Sequence, residues 1–132
     1  MAEVVVDTDV ASFIHKNSPF AEIYLPHLDG NLLVMSFQTA AEMERWALVR
    51  GWGTKRQSEL QAYFQQYIVY PYNRALLSTW AFVMYSARRS GRPILCADAW
   101  VASVAVLQDI PLVTHNRNDY LGVPGLRLIS EA

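Results

Sequence analysis

The sequence predicts a three-layer α/β domain with a mainly parallel central sheet flanked by helices. Short runs of strand length alternate along the chain with segments of helical composition, the order expected of βα units. The first of those runs is apolar on successive residues, as in a strand buried on both faces. The 132 residues fit one domain, spanning 1–132, with a sizeable core. At 52% hydrophobic and 17% charged, the composition is globular and argues against disorder.

Glu3-Val4-Val5-Val6-Asp7 is a β-branched run closed by polar residues, and Thr8 and Asp9 offer caps for a helix starting near Val10. Phe20 to Leu28 reads as a second helix, with Asp29-Gly30-Asn31 as its exit turn. Leu32 to Ser36 is a second strand, leading into a helix from about Phe37 to Arg50 that Gly51-Trp52-Gly53 interrupts. Thr54 to Gln66 reads as a helix capped by Thr54, and Tyr67 to Tyr70 as a third strand stopped by Pro71. Arg74 to Ser90 ends at Gly91 with Arg88 and Arg89 in its last turn, where cations suit the dipole. Ala97 to Gln108 is apolar nearly all round and so predicts a buried helix. Ile110 to Thr114 gives a fourth strand and Leu126 to Ile129 a fifth.

Four acids stand at the edges of these segments: Asp7, Glu42, Asp98 and Asp119. Each has a structural explanation of its own. Asp7 can serve a turn with Thr8, and Glu42 can complete a capping box in Thr39-Ala40-Ala41-Glu42. Asp98 suits the first turn of its helix, and Asp119 an Asx turn in Asn116-Arg117-Asn118-Asp119. Four independent caps, however, have no reason to converge. In a parallel sheet the functional crevice lies outside the carboxyl ends of the strands; Asp7 closes the first strand, Glu42 enters the helix after the second, and Asn116 and Asp119 come after the fourth. Carboxylates brought together repel one another unless a cation neutralises them, and oxygen ligands suit Mg²⁺ or Mn²⁺.

Composition narrows the alternatives. With 11 basic and 12 acidic residues the chain is close to neutral, so bulk charge advertises neither nucleic acid nor membrane. With four of the 12 acids set aside, 8 remain against 11 basic residues. Arg45, Arg50, Lys55 and Arg56 form one basic group, and Arg88, Arg89 and Arg92 another; either can hold a polyanion or lie on a solvated helix face. The single cysteine, Cys96, excludes an internal disulfide and a Cys-rich zinc site and makes a cytoplasmic location the expectation. No signal peptide or membrane span is expected. Dinucleotide binding is disfavoured, because no G-x-G-x-x-G comes after the first strand. A receiver domain would want a late lysine, yet the only lysines are Lys16 and Lys55. No local arrangement of His15, His27, His115 and Cys96 supports Ser–His or Cys–His catalysis.

Several segments in this order carry a family resemblance. They are Val5-Val6-Asp7-Thr8-Asp9-Val10-Ala11-Ser12, Ser36 to Met43, Ala97-Asp98-Ala99-Trp100-Val101-Ala102, and Pro111 to Tyr120 followed by Val123-Pro124-Gly125-Leu126. Over nearly its whole length the chain resembles PIN-domain ribonucleases, particularly the VapC toxins of toxin–antitoxin pairs. The resemblance implies a PIN-like fold and a Mg²⁺- or Mn²⁺-dependent endoribonuclease acting on structured RNA such as transfer RNA. It places the acidic metal site on Asp7, Glu42 and Asp98, with Asp119 or Asn116 as the fourth position. Thr114, Asn116 and His115 become candidates for substrate contact, His115 standing where relatives often carry Arg. A VapB-like antitoxin and a homodimer are the implied partners, with Trp46, Trp52, Tyr63, Phe64 and Tyr67 available for interfaces or core. The alternative is a PIN-like module that binds RNA or protein without cutting.

Overall fold

The computed structural model describes residues 2–132. Its elements are β1 (Glu3–Val6), α1 (Thr8–Lys16), α2 (Ala21–Leu28), β2 (Leu32–Ser36), α3 (Phe37–Val49), α4 (Thr54–Phe64), β3 (Ile68–Tyr70), α5 (Arg74–Arg89), α6 (Cys96–Gln108), β4 (Leu112–Val113), a 3-10 turn (Arg117–Tyr120) and β5 (Leu128–Ile129). The strands form one five-stranded sheet in the order β3-β2-β1-β4-β5, and every pairing is parallel. The expected α/β architecture is therefore present.

Strand alternation divides the core into two. Val4 and Val6 of β1, Met35 of β2 and Val113 of β4 face a core shared with Tyr24, Met43, Ala47, Leu60 and Tyr63. Val5, Val34 and Leu112, their neighbours along the strands, face the other side, against Leu76 and Val83 of α5 and Ala99, Val101, Ala102 and Ala105 of α6. The sheet is thus sandwiched between α1–α4 and α5–α6. Trp52, Tyr63 and Tyr67 are buried in the first core, and Trp46 and Phe64 pack against it.

The junctions differ from expectation in instructive ways. Asp7 itself caps α1, which begins at Thr8 rather than near Val10. Ser36 caps α3 through the Gln38 N–H at 3.1 Å, so Thr39 lies inside the helix and no capping box forms with Glu42. Gly53, not Thr54, is the cap residue of α4. In the first two cases the chain passes from strand to helix across Asp7 alone or directly from Ser36, which leaves the side chain at the strand end to serve as the cap. The fourth strand is also shorter than expected, Leu112–Val113, with Pro111, which has no N–H, just before it and the Thr114 N–H still bonded to the Ile129 carbonyl of β5 at 3.0 Å.

Parallel strands all leave the sheet at one edge. From β1 the chain runs outward to β2 and β3, then returns to place β4 on the other side of β1. The switch point lies between β1 and β4, where open α/β sheets form their crevice. Gly122 fixes the course of the chain beyond β4. A Cβ built there would lie 2.3 Å from the Arg92 carbonyl oxygen and 3.3 Å from the Ala87 Cα, so only glycine lets the loop after the 3-10 turn rest on the end of α5. Gly122→Ala is expected to lower stability by about 2 kcal/mol, the usual scale for overpacking; chemical denaturation of the two proteins checks this, and equal midpoints would refute it.

Candidate active site

At the end of β1, Asp7 is 4% exposed and hydrogen-bonded through both carboxylate oxygens. Its Oδ1 accepts from the Thr8 N–H at 2.7 Å, and its Oδ2 accepts from the Thr114 hydroxyl at 2.7 Å and the Tyr120 hydroxyl at 2.8 Å. Tyr120, itself buried, also lies 3.5 Å from Asp98 Oδ1. One phenol therefore spans the acid that ends β1 and the acid that starts α6. Burial, followed by the charges of Asp7 and Asp98, drives the Tyr120 pKa upward; it stays a neutral donor.

The remaining acids gather round this pair. Burial raises the Asp98 pKa to about 6, with further contributions from the charges of Asp7, Asp119 and Glu42. Asp7 is raised mainly by burial, against its three hydrogen bonds, and also feels Glu42. Glu42 is half-buried and held by the Gln38 side-chain amide at 3.2 Å. Asp119 is exposed on the 3-10 turn, its N–H bonded to the Asn116 carbonyl at 3.0 Å.

Two participants have no counterpart in the predicted set. Asp9 accepts from the Val10 N–H at 2.6 Å and the His115 N–H at 3.0 Å. Its pKa rises to about 7, through burial first and then the charge of Asp7. Its spacing two residues after Asp7 was the available signal, masked by a plausible role as a cap. Tyr120 carried no signal of its own, since its partners lie 113 and 22 residues away.

The candidates for substrate contact are placed unevenly. Thr114 is buried behind Asp7, and its hydroxyl also accepts the Asn116 N–H at 3.0 Å. Asn116 is exposed. His115 places its Nδ1 2.5 Å from the Tyr24 hydroxyl and its ring against Phe13 and Phe20. A cavity of about 270 Å³ opens along His115, Asn116, Arg117, Asn118 and Asp119. A larger one, about 710 Å³, lies between Leu25, Leu28, Tyr63 and Tyr67 and contains none of the predicted acids.

The donor set is chemically suited to a hard divalent cation. Burial and then neighbouring carboxylates raise the pKa values of Asp7, Asp9 and Asp98, and among the described residues the ion pairs are His27–Glu131 and Arg127–Asp109, so no Lys or Arg is paired with these acids. Nor, among the described residues, do three His, Cys, Asp or Glu side chains close into a compact cage. An open, water-completed arrangement fits Mg²⁺, which commonly uses one or two carboxylates and keeps its waters.

Comparison with known proteins identifies similar chains and folds. Ribonuclease VapC1 of Haemophilus influenzae strain R2866 is 29% identical over 130 residues, 93% of each chain. The solved structure of VapBC-1 from nontypeable H. influenzae matches with a TM-score of 0.79 and 25% identity, covering 97% of each chain. VapBC2 from Rickettsia felis, bound to a DNA fragment from its promoter, reaches a TM-score of 0.85 at 18% identity, covering 98% of this chain and 99% of that one. No helix among the described residues is long and apolar enough to cross a membrane. The pattern of the PIN domain matches residues 4–121, nearly the whole of the fold built around Asp7, and the chain belongs to the PIN domain family.

Proposed function

We propose that the chain is a Mg²⁺- or Mn²⁺-dependent endoribonuclease, a VapC-like toxin that cuts structured RNA such as transfer RNA and is restrained by a cognate VapB-like antitoxin. The observation that carries this reading is the Asp7–Tyr120–Asp98 link at the β1/β4 switch point, ringed by further acids that no Lys or Arg pairs with among the described residues. Support also comes from the names of the relatives, Ribonuclease VapC1 and VapBC-1 of Haemophilus influenzae.

In this reading Asp7 and Asp98 hold the cation, and Asp119 supplies the fourth acid, with Asn116 beside it. When bound, Mg²⁺ or Mn²⁺ offsets the charge of the scissile phosphate and makes a water acidic near neutral pH. Glu42, steadied by Gln38, orients the attacking water and accepts its proton. Thr114 and Tyr120 act through Asp7 by fixing its carboxylate, and His115 holds Asp9 with its backbone N–H. Exposed apolar side chains supply protein-binding surface: Phe20, Ile23 and Leu25 at α2, and Phe82 and Tyr85 one turn apart on α5. These are proposed for the antitoxin and for a second copy of the chain in a homodimer.

Purified chain incubated with total cellular RNA and Mg²⁺ or Mn²⁺ is expected to yield discrete new ends that disappear with EDTA, with Asp7→Asn and with Asp98→Asn. No cutting with either metal would assign the protein to non-catalytic binding of RNA or protein.

Tyr120→Phe keeps the ring and removes the bridging hydroxyl. Cleavage should fall about 10- to 100-fold, the scale for losing a group that orients a metal ligand, with the fold retained by circular dichroism. Wild-type rates would remove Tyr120 from the site.

The raised carboxyl pKa values also set a stability profile. Asp98 moves from 3.8 to about 6 and Asp9 from 3.8 to about 7, so the folded chain binds these protons more tightly than the unfolded one. Stability therefore falls as pH rises from about 4 to about 7. In EDTA, thermal unfolding should be higher at mildly acidic pH than above pH 7. Asp98→Asn should flatten part of that slope and stabilise the metal-free protein above pH 7 by on the order of 1 kcal/mol, allowing for its partial exposure. A stability maximum above pH 7 without metal would contradict the assignment.

A further inference from the structure

Two of the helices that present the acids hold cations at their ends. α1 is capped by Asp7 and ends at Lys16; α3 carries Glu42 and is closed by Arg50. At 1.5 Å per residue, Lys16 lies about 14 Å along the axis from Asp7, and Arg50 about 12 Å from Glu42. There the Lys16 Nζ stands 5.4 Å and the Arg50 guanidinium 5.5 Å from the centroid of the Trp46 ring. The Arg56 guanidinium, from the first turn of α4, stands 4.2 Å from the Trp52 centroid. His15, 5.8 Å from the Trp52 ring, joins the two groups. Its pKa is lowered by burial first and, against the opposing charge of Glu59, by Arg56 and Lys16.

Gathering like charges in this way is unfavourable unless something compensates. A cation over an indole face gains modestly from the ring's electrons, which one cation per indole would satisfy; Trp46 carries two. Lys16, Arg50 and Arg56 are exposed, and none takes part in the ion pairs found among the described residues. Lys55 and Arg56 also occupy the first turn of α4, where the helix dipole disfavours cations. The arrangement provides a row of positive heads already ordered by the rings beneath them, suited to a ligand with negative charges spaced along a chain.

We propose that Lys16, Arg50 and Arg56, seated on Trp46 and Trp52, form a second contact for substrate RNA that grips its phosphate backbone about one helix length from the acidic centre. This rests on the ribonuclease reading and adds where the RNA beyond the cleaved bond is held. An RNA that must bring one phosphate among carboxylates meets repulsion there, and cations on the same two helices offset it. The indole faces are occupied, so the contact goes to phosphates rather than stacked bases and adds affinity without sequence preference.

The test is binding of fluorescently end-labelled transfer RNA, read by anisotropy in EDTA so that nothing is cut, across a potassium chloride titration. Each lost phosphate contact lowers the slope of log affinity against log salt by about 0.7–0.9. The double variant Lys16→Gln/Arg50→Gln should lose about 1.5 from the slope and bind about tenfold or more weakly near 0.1 M salt. Arg50→Lys, which keeps the charge, should retain the wild-type slope, as should Arg88→Gln/Arg89→Gln, with thermal unfolding confirming that each variant is folded. An unchanged slope in Lys16→Gln/Arg50→Gln overturns the second contact while leaving cleavage as separate support for the ribonuclease reading. Loss of antitoxin binding with an unchanged RNA slope also overturns it, by making the patch a protein interface. Wild-type protein that neither binds nor cuts RNA overturns both readings together.

Discussion

The hydrogen bonds to the Asp7 carboxylate tie together parts of the chain that would otherwise have no reason to meet. Its Oδ1 starts α1 through the Thr8 N–H, and its Oδ2 collects the hydroxyls of Thr114 and Tyr120 from beyond β4. A carboxylate this buried must be satisfied by donors or lose its charge. Because Asp7 is both the last step of β1 and the cap of α1, satisfying it also fixes the angle at which α1 leaves the sheet. The position of the 3-10 turn, and through it of Asp119, derives from the same requirement.

Around that anchor the molecule concentrates charge where its packing is least able to yield. The helix that presents Asp98 is otherwise built from Ala99, Val101, Ala102, Val104 and Ala105, all buried. Small side chains bring its backbone close to the sheet, and the Ser103 hydroxyl is taken up internally by the Ala99 carbonyl at 2.6 Å. The acids therefore cannot relax apart by moving α6. Burial first, and the neighbouring charges after it, favour proton uptake, which is why Asp9 and Asp98 hold protons well above the usual carboxylate range. Rigidity of this kind keeps a constellation of like charges in register for a ligand that can neutralise it.

Most of the architecture was legible because it depends on local pattern. The run Val4-Val5-Val6 shows its double burial directly, and α6 shows its own by lacking a polar face. Helix starts were less legible. Both Ser36 and Thr39 are acceptable caps, and the choice between them depends on where β2 stops, which is decided by pairing with β1 and β3. Of the site, the acids at segment edges were visible one at a time, while Asp9 looked like a cap and Tyr120 like an ordinary loop residue. Their roles rest on contacts between distant parts of the chain, such as the His115 N–H reaching Asp9 across 106 residues, and periodicity carries no information about those.

That long reach has a kinetic consequence. Closing a loop costs entropy that grows with the logarithm of its length, and contacts of high sequence separation form late in folding. β1, α1, β2 and α3 are neighbours in sequence and can dock early, yet the segment that completes the Asp7 cage arrives from more than a hundred residues downstream. A ribosome-bound chain thus lacks an ordered acidic centre until its final quarter has emerged. Any local opening that lifts β4 and the 3-10 turn away from β1 dissolves the centre while leaving the first half of the sheet intact.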